Sequence, residues 1–213
     1  MIIWPTKTHS ILLMMQATLQ VVKPINILEI GSGKSTRYFA EYAREYKVNF
    51  RSIEENPEWV ARTNSELEIS QLSTNHVMHV PIVGDWFDPE AMSDMLKDIQ
   101  SWDLLFVDAP AGSGLGKRSS TRAIEWLARL IQDRTTLIID DVHRRHNYEQ
   151  LNQLPVKFRS NSFIFFTYDV GNLHPNVIAI VSKKHRHLKK SFRSLNLTFT
   201  QGLRNGEALV HEA

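Results

Sequence analysis

With 213 residues, 42% apolar and 23% charged, the chain is long enough for one well-buried core and too short for two ordinary domains. A formal charge of +2 is too mild to point to nucleic acid, and the lack of cysteine excludes disulfides, thiolate metal sites and cysteine nucleophiles. No apolar run approaches the roughly 20 residues that span a bilayer, and the start lacks a signal peptide's basic region and cleavage site. The expectation is one cytoplasmic domain over residues 1–213.

In chain order, residues 1–24 form a lead-in with a helix expected over 8–22. Residues 25–30 are a short, mostly apolar run ended by Gly31-Ser32-Gly33, as a buried parallel strand is. Tyr38, Phe39, Tyr42, Ala43 and Tyr46 follow at one-face helical spacing. Residues 48–53 read as a second strand, and Pro57 sits where a first helical turn tolerates proline. Residues 77–83 are a third strand, stopped by Gly84-Asp85, and 104–107 a fourth, stopped by Asp108-Ala109-Pro110. A helix with Ile124, Leu127, Ala128 and Ile131 on one face leads to a fifth strand, 135–139, stopped by Asp140-Asp141.

The rhythm then changes. Residues 163–168 and 177–181 are apolar runs joined by a segment with Gly171, Asn172 and Pro175 and no room for a helix, which reads as an antiparallel hairpin. The expected fold is therefore α/β: a Rossmann-like, doubly wound, mostly parallel seven-stranded sheet with an antiparallel closing hairpin. Residues 183–213 form a basic tail carrying Lys183, Lys184, Arg186, Lys189, Lys190 and Arg193. Its plain reading is a solvated surface helix, and an acidic partner or a membrane surface is the alternative.

The stretch Gly31-Ser32-Gly33-Lys34-Ser35-Thr36 invites three ligand readings. Gly-Lys-Ser ends a Walker A loop, but that motif also needs a glycine where this chain has Leu28, inside the first strand. The dinucleotide fingerprint is matched by Gly31 and Gly33, while its third glycine falls on Thr36. The third reading is S-adenosylmethionine. The Gly31-Ser32-Gly33 backbone can approach its methionine portion closely, and helix-start N–H groups can meet its carboxylate. Glu29 suits the ammonium end. Glu54 closes the second strand about 20 residues after Gly33, the spacing of a ribose-binding acid in this topology. Asp85 is placed to accept from the adenine amino group, with Trp86 or Phe87 over the adenine face. The alternative is that these acids solvate strand ends and the aromatics pack in the core.

These residues resemble motifs of the class I S-adenosylmethionine-dependent methyltransferases, in particular the catechol O-methyltransferase-like enzymes. Leu28-Glu29-Ile30-Gly31-Ser32-Gly33 is similar to their motif I, and Ile53-Glu54-Glu55-Asn56-Pro57 to their ribose-binding stretch. Gly84-Asp85 resembles their adenine-contact segment. Residues 105–108 and 137–141 resemble the ends of their fourth and fifth strands, and the hairpin their reversed last strand. A narrower similarity, over residues 102–112 with Asp141, Val142 and Arg144, is to glucuronoxylan 4-O-methyltransferases. Ala111 stands where those enzymes carry arginine, and His143 where they carry a second aspartate.

The resemblance implies methyl transfer from S-adenosylmethionine, in which the protein positions the acceptor and manages its proton. The Asn-Pro-Pro-aromatic loop of many amino-group methyltransferases is absent after the fourth strand, where Asp108-Ala109-Pro110 stands, so an oxygen of a small molecule or sugar is the expected acceptor. In catechol-type enzymes the positions matching Asp108, Asp140 and Asp141 bind magnesium, and three carboxylates suit such a hard cation. Alternatively, Asp140 or Asp141 caps a helix and Asp108 orders a loop. His143 and Asp108 are the candidate catalytic residues, with Asp108 also at the cofactor; His143 is a candidate general base, or a solvated helix-start residue. Trp59 and Trp126 read as core aromatics, and residues 111–120, with three glycines and Lys117-Arg118, as a long flexible loop that either closes over an anionic acceptor such as a uronate or is simply mobile. A P-loop or dinucleotide enzyme, and a non-catalytic nucleotide-binding module, are the competing functions.

Overall fold

A computed structural model of the protein describes residues 10–84, 86–108, 121–140, 154–167, 177–188, 191 and 198–200. The chain runs α1 (Ser10–Val22), β1 (Asn26–Ile30), α2 (Lys34–Tyr46), β2 (Asn49–Glu54), α3 (Pro57–Ile69), β3 (Val77–His79), β4 (Ile82–Val83), β5 (Trp86–Phe87), α4 (Pro89–Leu96) and β6 (Leu104–Val107). It continues with α5 (Thr121–Leu130), β7 (Thr136–Ile139), α6 (Val156–Ser160), β8 (Ser162–Thr167), β9 (Val177–Ser182), a 3-10 turn (Lys183–His185) and β10 (Thr198–Thr200).

The main sheet has the order β10-β8-β9-β7-β6-β1-β2-β3. Strands β3, β2, β1, β6 and β7 pair in parallel. β9 inserts antiparallel between β7 and β8, so the expected Rossmann-like sheet and its reversed hairpin are both present. The strand order turns back at β1, with β2 and β3 on one side and β6 and β7 on the other. In open α/β sheets ligands bind beyond the strand C-termini at such a switch point.

Both faces of the sheet are covered, as parallel strands require. Along β1, Leu28 and Ile30 join one core with Trp86, Trp102, Leu105, Val107 and Leu127. Ile27 points to the other, with Met14, Phe39, Leu104, Phe106 and Ala179. Helices start where the side chains dictate. Asn56 caps α3 by accepting from Glu58 and Trp59 N–H, with Pro57 in the first turn. Asp88 and Pro89 do the same for α4, a helix that the strand-by-strand reading passes over.

Two expectations change. The third strand stops at His79 rather than at residue 83. Val80 N–H still reaches Glu54 O at 2.9 Å, but Pro81 has no N–H to continue the ladder. The chain then folds into a separate hairpin, β4 with β5, around Gly84 at φ 77°. Gly84 thus turns a hairpin instead of ending a sheet strand. The basic tail is also not a simple surface helix. It opens with a 3-10 turn, and its Thr198–Thr200 pairs antiparallel with β8 as an eighth strand. Among the described residues no helix is long and apolar enough to cross a membrane.

Candidate cofactor and active site

The backbone ladder carries the site residues one step past the strands. Gly31 N–H donates to Ile53 O at 2.7 Å, Asp108 N–H to Ile30 O at 2.8 Å, and Asp140 N–H to Val107 O at 2.9 Å. Gly31, Asp108 and Asp140 therefore stand side by side at one edge, across the switch point. Asp108 is exposed and Asp140 half-buried. Asp85, Asp141, His143 and the loop 111–120 lie outside the described residues.

The two loop glycines serve different needs. Gly31 sits at φ 95°, a conformation that side chains disfavour. Gly33, the N-cap of α2, is extended at φ 174°, and a Cβ added to it would meet nothing within 4 Å. Neither backbone conformation nor neighbouring atoms demand glycine at position 33. Open space over a helix N-terminus leaves room for the close approach of a carboxylate-bearing ligand.

Glu54 stands at the end of β2, 5% exposed. Its Oε2 accepts from Ser32 N–H at 2.8 Å and from the Ser32 hydroxyl at 3.1 Å, while Oε1 accepts from Asn56 N–H at 3.0 Å. The acid expected at the ribose thus also braces the glycine loop. Trp59, expected in the core, is instead 39% exposed, and its indole N–H donates to Ser32 O at 2.6 Å. The Arg62 guanidinium lies 4.8 Å from that ring's centroid. Its place in the first turn of α3, directly after the Asn56-Pro57 start, is the sequence signal that it borders the site.

Glu29, expected at the ammonium end, lies beneath the glycine loop. It is wholly buried behind the loop and accepts the hydroxyls of Ser35, Thr36 and Ser52. Burial, with a smaller push from the Asp108 charge, raises its pKa to about 7 against the hydroxyls that lower it. A carboxyl enclosed in this way braces the loop from behind. Trp86 takes the core reading. It is 1% exposed, packed against Phe87 and Trp126, so its ring presents no open face to an adenine. Its indole N–H is buried with no hydrogen-bond partner among the described residues. Trp126 is a core aromatic, as expected.

A methyltransferase domain model matches residues 28–142, more than half of the chain, from the first sheet strand past the end of β7. The chain belongs to the methyltransferase domain family. It is a class I, S-adenosylmethionine-dependent methyltransferase. Membership sets aside the P-loop, dinucleotide and non-catalytic readings of the glycine loop. No curated protein matches the chain in sequence.

Solved structures share the fold. A protein from Klebsiella pneumoniae assigned as an O-methyltransferase is 18% identical, with a TM-score of 0.53 over 84% of this chain and 83% of that one. One from Staphylococcus aureus assigned as a caffeoyl-CoA O-methyltransferase is 17% identical, with a TM-score of 0.53 over 82% and 85%. One from Streptococcus mutans assigned as a methyltransferase, in complex with S-adenosylhomocysteine (SAH), is 12% identical, with a TM-score of 0.50 over 85% and 99%.

Among the described residues no group of three His, Cys, Asp or Glu side chains is gathered as a metal site. Asp108 and Asp140 occupy adjacent strand ends, but Asp141, the expected third ligand, lies outside the described residues.

Proposed function

We propose that this methyltransferase acts on a hydroxyl oxygen of a small molecule or sugar, bound over the C-terminal ends of β6 and β7. The observation that carries the reading is Asp108. It is an exposed carboxylate directly after β6, tied to the end of β1 through Ile30 and beside the glycine loop. A carboxylate there suits an acceptor that must be oriented and relieved of a proton. The assignments of the Klebsiella and Staphylococcus proteins as O-methyltransferases agree with it.

When bound, S-adenosylmethionine supplies an already activated methyl group, so the chain's work is positioning. The Gly31-Ser32-Gly33 turn and the start of α2 would hold the methionine end, Glu54 the ribose hydroxyls, and Asp85 the adenine amino group. Asp108 would orient the acceptor, and His143, two residues beyond Asp141, would take its proton. A divalent cation between Asp108 and Asp140 or Asp141 is the companion proposal, since adjacent carboxylates suit a hard cation.

The test is transfer from methyl-labelled S-adenosylmethionine to matched panels of hydroxyl and amine acceptors. Label should appear as the methyl ether of a hydroxyl acceptor, and transfer confined to amines would contradict the reading. With an acceptor in hand, His143→Ala should lower turnover about 10²–10⁴-fold while SAH affinity holds. Full activity after exhaustive chelation would remove the cation.

A further inference from the structure

Ser32 is held from three sides. Its N–H and its hydroxyl both donate to Glu54 Oε2, at 2.8 and 3.1 Å, and its carbonyl accepts the Trp59 indole N–H at 2.6 Å. The backbone of this residue is therefore pinned fore and aft. Its side chain is not, because a second partner is within reach: Thr63 Oγ1, on α3, lies 3.4 Å from Ser32 Oγ.

The acceptor capacity of Glu54 is finite. A carboxylate oxygen offers about two lone-pair positions. Asn56 N–H takes one on Oε1 and leaves one. The Ser32 N–H and hydroxyl take both on Oε2. A vicinal diol that binds a carboxylate in bidentate fashion needs one position on each oxygen. One ribose hydroxyl finds a place on Oε1 as the protein stands. The other does not, unless a Ser32 donor yields, and the only donor that can turn without moving the backbone is the hydroxyl.

We infer that the Ser32 hydroxyl competes with one ribose hydroxyl for Glu54, and that cofactor binding turns it onto Thr63. This rests on the reading of Glu54 as the ribose ligand. Ser32 is thus a positioning residue that tunes cofactor affinity through Glu54. It keeps the carboxylate bonded when no diol is present, at the expense of part of the ribose binding energy.

The test is calorimetry of SAH and its 2′-deoxy and 3′-deoxy counterparts with wild type, Ser32→Ala and Glu54→Ala. Ser32→Ala keeps the N–H to Glu54 and removes the competitor, so it should bind SAH about threefold to tenfold more tightly, the range of one net hydrogen bond. It should also discriminate more strongly than wild type against one deoxy ligand. In wild type the Ser32 hydroxyl re-occupies the freed position, whereas in the variant nothing does. A merely structural serine would give weaker binding and the same discrimination with all three ligands, and that result overturns the inference. Unchanged SAH affinity in Glu54→Ala would instead show that Glu54 does not hold the ribose, which removes the inference together with its premise. A folded thermal transition in each variant shows that the comparison is between native proteins.

Discussion

The carboxylate of Glu29 accepts the Thr36 hydroxyl at 2.7 Å, and the same Thr36 oxygen accepts the N–H of Gly33 at 2.7 Å. A buried acid in the first strand is thereby connected, through one hydroxyl, to the backbone of the cofactor loop. Ser35 and Ser52 complete its surroundings. These three hydroxyls soften, without cancelling, the cost of enclosing a carboxyl between the sheet and α2.

That cost has a pH signature. Burial raises the Glu29 pKa from 4.5 to about 7. Between these values the folded state holds a proton that the unfolded state has lost, so this group's contribution to stability falls as pH rises through that window and is level above it. The shift corresponds to about 3 kcal/mol. Glu29→Gln cannot ionise, so urea melts from pH 4.5 to 8 should show wild type losing about that much relative to the variant as pH rises. A constant difference across the range would show that Glu29 is not titrating there.

Gly31 and Gly33 should respond oppositely to alanine. Gly31→Ala forces a side chain into φ 95° and should lower stability by about 1 kcal/mol or more. Gly33→Ala meets extended backbone and no neighbour within 4 Å, so its melt should match or slightly exceed that of wild type. Its SAH affinity should fall at least tenfold, because the methyl group occupies the ligand's approach. Retained affinity with a normal melt would mean that the ligand does not pass over Gly33.

Trp59→Phe keeps an aromatic ring beside Arg62 and removes the indole N–H from Ser32 O. One net hydrogen bond of about 0.5–1.5 kcal/mol is lost, so SAH should bind roughly twofold to tenfold more weakly. The same bond is present in the ligand-free fold, so the urea melt should also show a loss of no more than about 0.5–1.5 kcal/mol, Trp59 being 39% exposed. Equal affinity in calorimetry would show that the indole bond does not position the loop.

Strands β1, β6 and β7 are legible because each is a short apolar run stopped by Gly31, Asp108 or Asp140, a pattern that buried strands at a ligand edge impose. Gly31, Glu54 and Asp108 were legible for the same reason, since each is the first break in such a run or its last polar member. What escaped depends on three-dimensional partners. Pro81 interrupts a run that looks continuous, and only the ladder shows that the chain leaves the sheet there. Glu29 directly precedes the glycine loop in sequence, and only the fold shows that strand alternation turns it toward α2, where Ser35 and Thr36 meet it. Trp59 carried the pattern of a core aromatic, and its hydrogen bond to Ser32 spans two elements that no local pattern connects.

The most direct measurement is calorimetry of the wild-type protein with SAH, ATP and NAD at equal concentrations. SAH should bind saturably and one to one, with no comparable binding of ATP or NAD to a loop with Leu28 and Thr36 where those folds need glycines. Saturable binding of ATP or NAD with none of SAH would contradict the S-adenosylmethionine reading of this loop.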